Sequence, residues 1–153
     1  MRLFSLLVLG AAVACAGSNT PTSAAIGDRS TTIDTVQVNG ALRLEVHDAP
    51  LTPSTPPYDA AATIVGNVGN VGLAKAQLGS LCRYAVSGNS DVRTGKIGVH
   101  IQFVERLTSC TAELRVLSYN ATLTAAPGAY DVALIHEFNG VADTIARQAV
   151  TVR

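Results

Sequence analysis

Apolar residues recur at every second position along much of the chain after residue 32. The longest run spans 97–103, and shorter runs span 42–46 and 112–116. This is the period of a β-strand with one buried face. The residues that this pattern turns inward are Leu42, Leu44, Val46, Ile97, Val99, Ile101, Phe103, Ala112, Leu114 and Val116. Three amphipathic strands of this kind need a shared core.

Further segments with strand-like composition alternate with turn-forming residues. The segments are 33–38, 60–66, 81–86, 130–138 and 145–152. The turn formers are Asn39-Gly40, the prolines at 50, 53, 56 and 57, the run 66–70, the stretch 87–90 and Asn139-Gly140. No stretch keeps a helical period for three turns. The pattern therefore predicts an all-β, antiparallel sandwich of about seven to nine strands, because two half-buried sheets hide their apolar faces against each other.

The first turn raises a question of register. A two-residue hairpin at Asn39-Gly40 would place Val36 opposite a charged residue, so that polar and apolar side chains share one face. We therefore expect a loop that is one residue longer, or a crossing between the sheets. Either arrangement keeps Val36 and Val38 with the inward leucines of the next strand.

The segment 123–132 reads Leu-Thr-Ala-Ala-Pro-Gly-Ala-Tyr-Asp-Val. It resembles the Leu-x-Pro-Gly-x-Tyr-x-Val corner of immunoglobulin-like and fibronectin-type sandwiches. The resemblance implies that Tyr130 is a structural tyrosine corner, whose hydroxyl bonds back to the backbone at the turn into the next-to-last strand. It covers about the last third of the chain and implies an immunoglobulin-like architecture, but it carries no information about function.

Two cysteines lie within the predicted domain, Cys82 and Cys110. In an oxidising compartment such a pair predicts a disulfide. Each cysteine lies an even number of residues from the inward-facing residues of its predicted strand. We therefore expect a buried disulfide that joins the beginnings of the two strands. The alternative, a redox or metal-binding thiol pair, lacks the close spacing of a Cys-x-x-Cys site.

The N-terminus has the features of an export signal. Met1-Arg2 is followed by an apolar run from Leu3 to Val13, which is too short to span a bilayer stably. The sequence Ala12-Val13-Ala14-Cys15 resembles the lipobox of bacterial lipoproteins, in which cleavage occurs before a cysteine that carries diacylglycerol. The resemblance implies a signal peptide over 1–14 and a lipid on Cys15. Ordinary cleavage nearby, which would release a soluble protein, is the alternative.

The segment 16–32 is rich in Ser, Thr, Ala and Gly, as is typical of a flexible tether. The expected organisation is therefore a lipid anchor and tether over 15–32 and a sandwich over 33–153. Such a protein would be membrane-anchored in the cell envelope, at the outer membrane or the periplasmic face in a Gram-negative cell.

Composition restricts the function. The formal net charge is zero, and charged residues make up 14 % of the chain. No cluster of Lys and Arg alternates with aromatic residues, so the sequence excludes nucleic acid as a partner.

Candidate chemistry is sparse. His47 and His100 alternate with the apolar residues of their strands and are expected on the polar face. His136 alternates in step with the apolar residues of its strand and is expected at the edge of the core with its hydrogen bonds satisfied. We therefore predict no metal site. The glycines at 66, 69 and 72 lack the lysine and the helix of a nucleotide loop and indicate a turn or strand edge. No nucleophile motif is present, so we predict neither catalysis nor a cofactor.

The function predicted from these features is a non-enzymatic binding or accessory module that meets a protein or a surface polymer through its loops. The loops expected to carry recognition are Asp48–Tyr58, which is rich in proline, and Ser87–Gly95. An exported protease inhibitor is the alternative. A metal-binding or hydrolytic protein is a third class.

Overall fold

The computed structural model describes residues 33–53, 57–110 and 112–153. These residues form nine strands and no helix. The strands are β1 (Ile33–Asn39), β2 (Leu42–Pro50), β3 (Thr63–Gly66), β4 (Asn70–Leu78), β5 (Tyr84–Arg93), β6 (Lys96–Glu105), β7 (Arg115–Thr124), β8 (Gly128–Phe138) and β9 (Val141–Val152). The predicted all-β sandwich with one disulfide is confirmed.

The strands form two sheets. One has the order β1-β2-β7-β4-β3, and the other has the order β5-β6-β8-β9. All pairs are antiparallel except β6 and β8, which run parallel. This one parallel pair departs from the fully antiparallel arrangement that we expected. It follows from the chain crossing to the other sheet as β7 between β6 and β8, since parallel neighbours need a crossover connection.

The core lies between the sheets and consists of the inward members of each alternating strand. In β6 the apolar residues 97, 99, 101 and 103 are each at most 2 % exposed, as the sequence period predicts. The three apolar inward residues of β2, Leu42, Leu44 and Val46, are also at most 2 % exposed. The hydrophobic period therefore identified the central strands correctly.

Hydrogen bonds close the sandwich along both of its sides. On one side, the amide of Gly88 in β5 donates to Gln37 Oε1 at 3.0 Å, and the Asn39 amide donates to the Gly88 carbonyl at 3.2 Å. On the other side, the backbone of residues 67 and 69 bonds to that of Arg153, at 3.2 and 3.0 Å. These bonds occupy backbone groups at the edge of β5 and immediately after β9, which would otherwise be open to pairing with another chain.

The first hairpin differs from the prediction. Its loop has two residues, Gly40 and Ala41, and Val38 pairs with Arg43. Directly paired residues share one face of a sheet, so the expectation that Val36 and Val38 lie with the inward leucines is wrong. The two valines are 58 % and 67 % exposed. The loop is shifted by one residue because Gly40, with φ of 58°, supplies the left-handed conformation that such a turn requires.

The predicted turn at 87–90 is also wrong, since these residues lie within β5. Gly88 is buried there, and a Cβ on it would lie 3.1 and 3.2 Å from methyl carbons of Leu42 and Leu44. The glycine permits close packing between the sheets and does not mark a turn. By contrast, Asn139-Gly140 does form the predicted two-residue turn, between Phe138 and Val141.

The inward face of β7 differs from the prediction as well. The strand begins at Arg115, and Leu114, expected in the core, is 65 % exposed. The residues that face the core are Leu117, Tyr119, Ala121 and Leu123. A shift of one residue moves every side chain to the opposite face. Val116, which was also expected to point inward, is 3 % exposed, but it lies on the face opposite these four residues.

Candidate functional site

The chain enters the sandwich at one end, where two long connections also meet. Ile33, the first residue of β1, pairs with Asp48 near the end of β2. The connection 79–83, between β4 and β5, and the connection 106–114, between β6 and β7, lie at this same end. The Asn139-Gly140 turn lies there too, because Phe138 pairs with Phe103 in the parallel ladder. We call this region the braced end.

A disulfide joins the two connections of the braced end. Cys82 and Cys110 are bonded, with their Cα atoms 5.9 Å apart, within the usual range. The pairing is as predicted, but the expected burial is wrong, because Cys82 is exposed and Cys110 is half-buried. The amides of Arg83 and Tyr84 both donate to the Ser80 carbonyl, which forms a turn. Strand alternation therefore starts only at Tyr84 and does not apply to Cys82.

A buried ion pair holds the same end together. Asp48 is 1 % exposed, and its carboxylate accepts hydrogen bonds from Arg115 Nε at 2.6 Å and from the Leu81 amide at 2.7 Å. Arg115 also donates to the Asp48 carbonyl and to Glu113. One carboxylate thus fixes both the start of β7 and the connection 79–83. The sequence analysis missed this role, although an aspartate at an inward position of β2 is the signal that could have revealed it.

A groove of about 380 Å³ lies beside the disulfide. Its walls combine apolar side chains, including the partly exposed Leu78 and Leu114, with the charged groups of Arg83, Glu113 and Arg115. The Arg83 guanidinium carbon lies 5.4 Å from the centre of the Tyr84 ring, close enough for a cation–π contact.

The three histidines lie in different parts of the sandwich. His47 is on the outer face of the five-stranded sheet, and His100 is on the outer face of the other sheet. His136 lies in the core and is 4 % exposed. Within the part of the chain that the structure describes, no group of three His, Cys, Asp or Glu residues could hold a metal ion.

His136 forms a buried pair with Tyr119. The Tyr119 hydroxyl and His136 Nε2 are 2.7 Å apart, and the imidazole ring also contacts Phe103 and Phe138. The pKa of His136 is lowered to about 4, chiefly by burial and also by the charge of Lys75, while Asp143 acts in the opposite direction. Burial also raises the pKa of Tyr119 above its usual value. Both groups are therefore neutral at pH 7, and the pair has the character of a satisfied core contact.

The opposite end of the sandwich, which we call the distal end, carries the turns at 40–41, 67–69, 94–95 and 125–127. Tyr130 lies there, and its hydroxyl donates to the Ala126 carbonyl at 3.0 Å, the bond expected of a tyrosine corner. Next to it, the amide of Asp131 donates to the Gly95 carbonyl at 2.9 Å. These bonds connect the corner to the β5–β6 hairpin.

An open cleft of about 590 Å³ lies between these two turns. Its lining combines a half-exposed valine, the Arg93 side chain, backbone at two glycines and the Tyr130 ring. The full lining is Val92, Arg93, Thr94, Gly95, Gly128, Ala129 and Tyr130. Arg93 is paired with Asp91 at 2.8 Å, and both side chains remain more than half exposed. The cleft can therefore offer hydrogen-bond donors, charge and an aromatic face to a ligand.

The remaining predicted residues lie elsewhere. Cys15, the signal 1–14 and the tether 16–32 are outside the described residues. The proline-rich loop Asp48–Tyr58 begins within β2 and includes residues 54–56, which are also outside the description. Of Ser87–Gly95, only residues 94 and 95 form a turn. Gly66 ends β3, Gly69 is in the following turn, and Gly72 is inside β4.

The fold and site define a small disulfide-bonded β-sandwich with a cleft at the distal end. No protein-family model, curated protein or solved structure matches this chain. Among the described residues, no helix is long and apolar enough to cross a membrane.

Proposed function

We propose that this chain is an exported cell-envelope protein, anchored by a lipid on Cys15, whose sandwich is a non-enzymatic binding module for a protein or a surface polymer. The observation that carries the proposal is the location of the distal cleft. The described chain begins at Ile33 at the braced end, whereas the cleft lies at the other end. A domain tethered through its N-terminus would hold this cleft away from the membrane, where a partner can reach it.

The cleft is suited to recognition because its walls are fixed before a partner arrives. Tyr130 is held by its bond to Ala126, and the β5–β6 hairpin is held by the bond from Asp131 to Gly95. Rigid walls reduce the conformational entropy that binding must offset. Val92, which is 49 % exposed, and the Tyr130 ring supply apolar surface, while Arg93 supplies charge and donors.

The placement of the titratable groups also supports binding over catalysis. The histidines are separated by the two sheets, and the most buried carboxylate among the described residues, that of Asp48, is engaged by Arg115 and the Leu81 amide. Such a carboxylate holds structure together and is not available as a general base.

Site-specific photocrosslinking in intact envelopes tests the proposal. A photoreactive residue replaces Thr94 in the cleft, Thr122 on the outer face of the five-stranded sheet, or Tyr58 in the proline-rich loop. We expect a discrete adduct from position 94, which Arg93→Ala weakens, and none from position 122. Adducts from position 58 alone would mean that the partner binds the proline-rich loop and not the distal cleft. Inhibition of a protease by the purified protein would favour the inhibitor alternative instead.

A further inference from the structure

The braced end carries a group of exposed apolar side chains larger than valine. They are Leu78, Leu107, Leu114 and Phe138, and they are accompanied by Val104 and Val141. The distal end, by contrast, exposes Val38, Val68 and Val92. Leu78 and Leu114 line the same groove, and Phe138 pairs with Val141. Large exposed apolar side chains concentrated at one end of a small domain mark a candidate interaction surface.

Leu107 is the most prominent member of this group, since its side chain is as exposed as in an extended chain, at 104 %. The loop that carries it is nevertheless fixed. The Arg106 amide donates to the Arg83 carbonyl at 2.8 Å, the Thr108 hydroxyl donates to the Cys82 carbonyl at 3.0 Å, and the disulfide follows at residue 110. The backbone of this loop is therefore held in place, while the side chain of Leu107 is fully exposed to solvent.

Two arginines lie close to Leu107, and the acidic residues Glu105 and Glu113 at the braced end are each paired with an arginine. Arg106 is adjacent and exposed, and Arg83 is exposed beside it, although it also pairs with Glu105 at 3.2 Å. Exposed arginines next to apolar side chains are typical of segments that lie at a membrane interface, where guanidinium groups meet lipid phosphates.

The position of β1 places the N-terminal segment of the chain next to this surface. The strand that follows residue 32 starts at the braced end, because Ile33 pairs with Asp48. The predicted tether, 15–32, has 18 residues, and a flexible chain of that number of residues has a root-mean-square length of about 24 Å. An anchor on Cys15 would therefore keep the braced end close to the membrane, at an effective concentration at which weak contacts suffice.

We propose that the braced end docks on the bilayer that holds the anchor, with Leu107 and Leu114 in the headgroup region and Arg106 facing lipid phosphates. This inference rests on the proposed lipidation of Cys15. Docking fixes the orientation of the sandwich and directs the distal cleft away from the membrane.

The chain contains no tryptophan, so a single introduced tryptophan reports its own surroundings. The lipidated full-length protein with Leu107→Trp is reconstituted into vesicles of phosphatidylethanolamine and phosphatidylglycerol, with and without brominated acyl chains. Val68→Trp, at the distal end and 77 % exposed, is the matched control. We expect blue-shifted emission and at least twofold quenching by brominated lipid for Leu107→Trp, with neither change for Val68→Trp.

Each other outcome contradicts the docking. If intact mass shows a lipid on Cys15 but brominated lipid does not quench Leu107→Trp, the docking is contradicted and the lipid anchor is supported. Blue-shifted but unquenched emission would mean that a second copy of the protein covers the surface. Equal quenching at both positions would mean that the sandwich has no fixed orientation. Absence of lipid on Cys15 would contradict both the anchor and the docking that depends on it.

Discussion

Acidification should destabilise the sandwich through His136. The imidazole is 4 % exposed, its Nε2 lies 2.7 Å from the hydroxyl of the buried Tyr119, and burial lowers its pKa from 6.5 to about 4. In the unfolded chain the same group has its ordinary pKa of 6.5. Between these two values the unfolded state binds a proton that the folded state does not, so the free energy of unfolding decreases as the pH falls.

The size of the effect follows from the pKa difference. Each pH unit in this interval lowers the free energy of unfolding by about 1.4 kcal/mol. The loss from His136 between pH 7.5 and pH 5 is therefore about 2 kcal/mol, and the full loss below pH 4 is about 3 kcal/mol. Above about pH 7.5 this group contributes almost no pH dependence, because it is neutral in both states.

Urea unfolding followed by circular dichroism at pH 7.5, 6 and 5 measures this effect. His136→Gln removes the titration and keeps an amide that can bond to Tyr119. It should be less stable than the natural protein at pH 7.5, and the difference should shrink by about 2 kcal/mol at pH 5. His100→Gln, on an outer face, is the control and should retain the natural pH dependence. Equal pH dependence in the natural protein and in His136→Gln would mean that His136 is not the group whose protonation destabilises the sandwich.

Two further predictions concern the braced end. Replacing both Cys82 and Cys110 by serine should lower the free energy of unfolding by about 3.5 kcal/mol, because the disulfide no longer closes a loop across 28 residues in the unfolded chain. Chemical denaturation measures this loss, and a value below about 1 kcal/mol would contradict the prediction. Asp48→Asn should cost about 3–5 kcal/mol because it removes the buried negative charge that faces the guanidinium of Arg115. Asp91→Asn, in an exposed pair, should cost at most about 1 kcal/mol, and similar losses in the two variants would be the contrary result.

The sequence predicted those strands whose two faces differ clearly in polarity. In β6, the apolar residues at every second position from Ile97 to Phe103 alternate with polar or small residues, so the two-residue period is unambiguous. In β4, the outward residues include Gly72 and Ala74, while Lys75 and Gln77 alternate in step with the inward Val71. The two faces therefore differ little in polarity, and the strand was missed.

The functional surfaces were harder to predict because they depend on which strand ends come together. The cysteine pair and Tyr130 could be found from the sequence, since each has a local signature. That Ile33 lies beside Asp48, or Phe138 beside Phe103, depends on long-range register, which no local pattern specifies. The distal cleft and the apolar surface of the braced end therefore emerged only from the assembled sheets.

We propose that Cys15 anchors a binding module to the cell envelope, and intact mass spectrometry of the protein extracted from bacterial membranes tests this anchor, with Cys15→Ser as the control. We expect a chain that begins at Cys15 and carries diacylglycerol, and a Cys15→Ser variant that leaves the membrane fraction. An unmodified chain cleaved at another position, or a Cys15→Ser variant that stays in the membrane fraction, would contradict it.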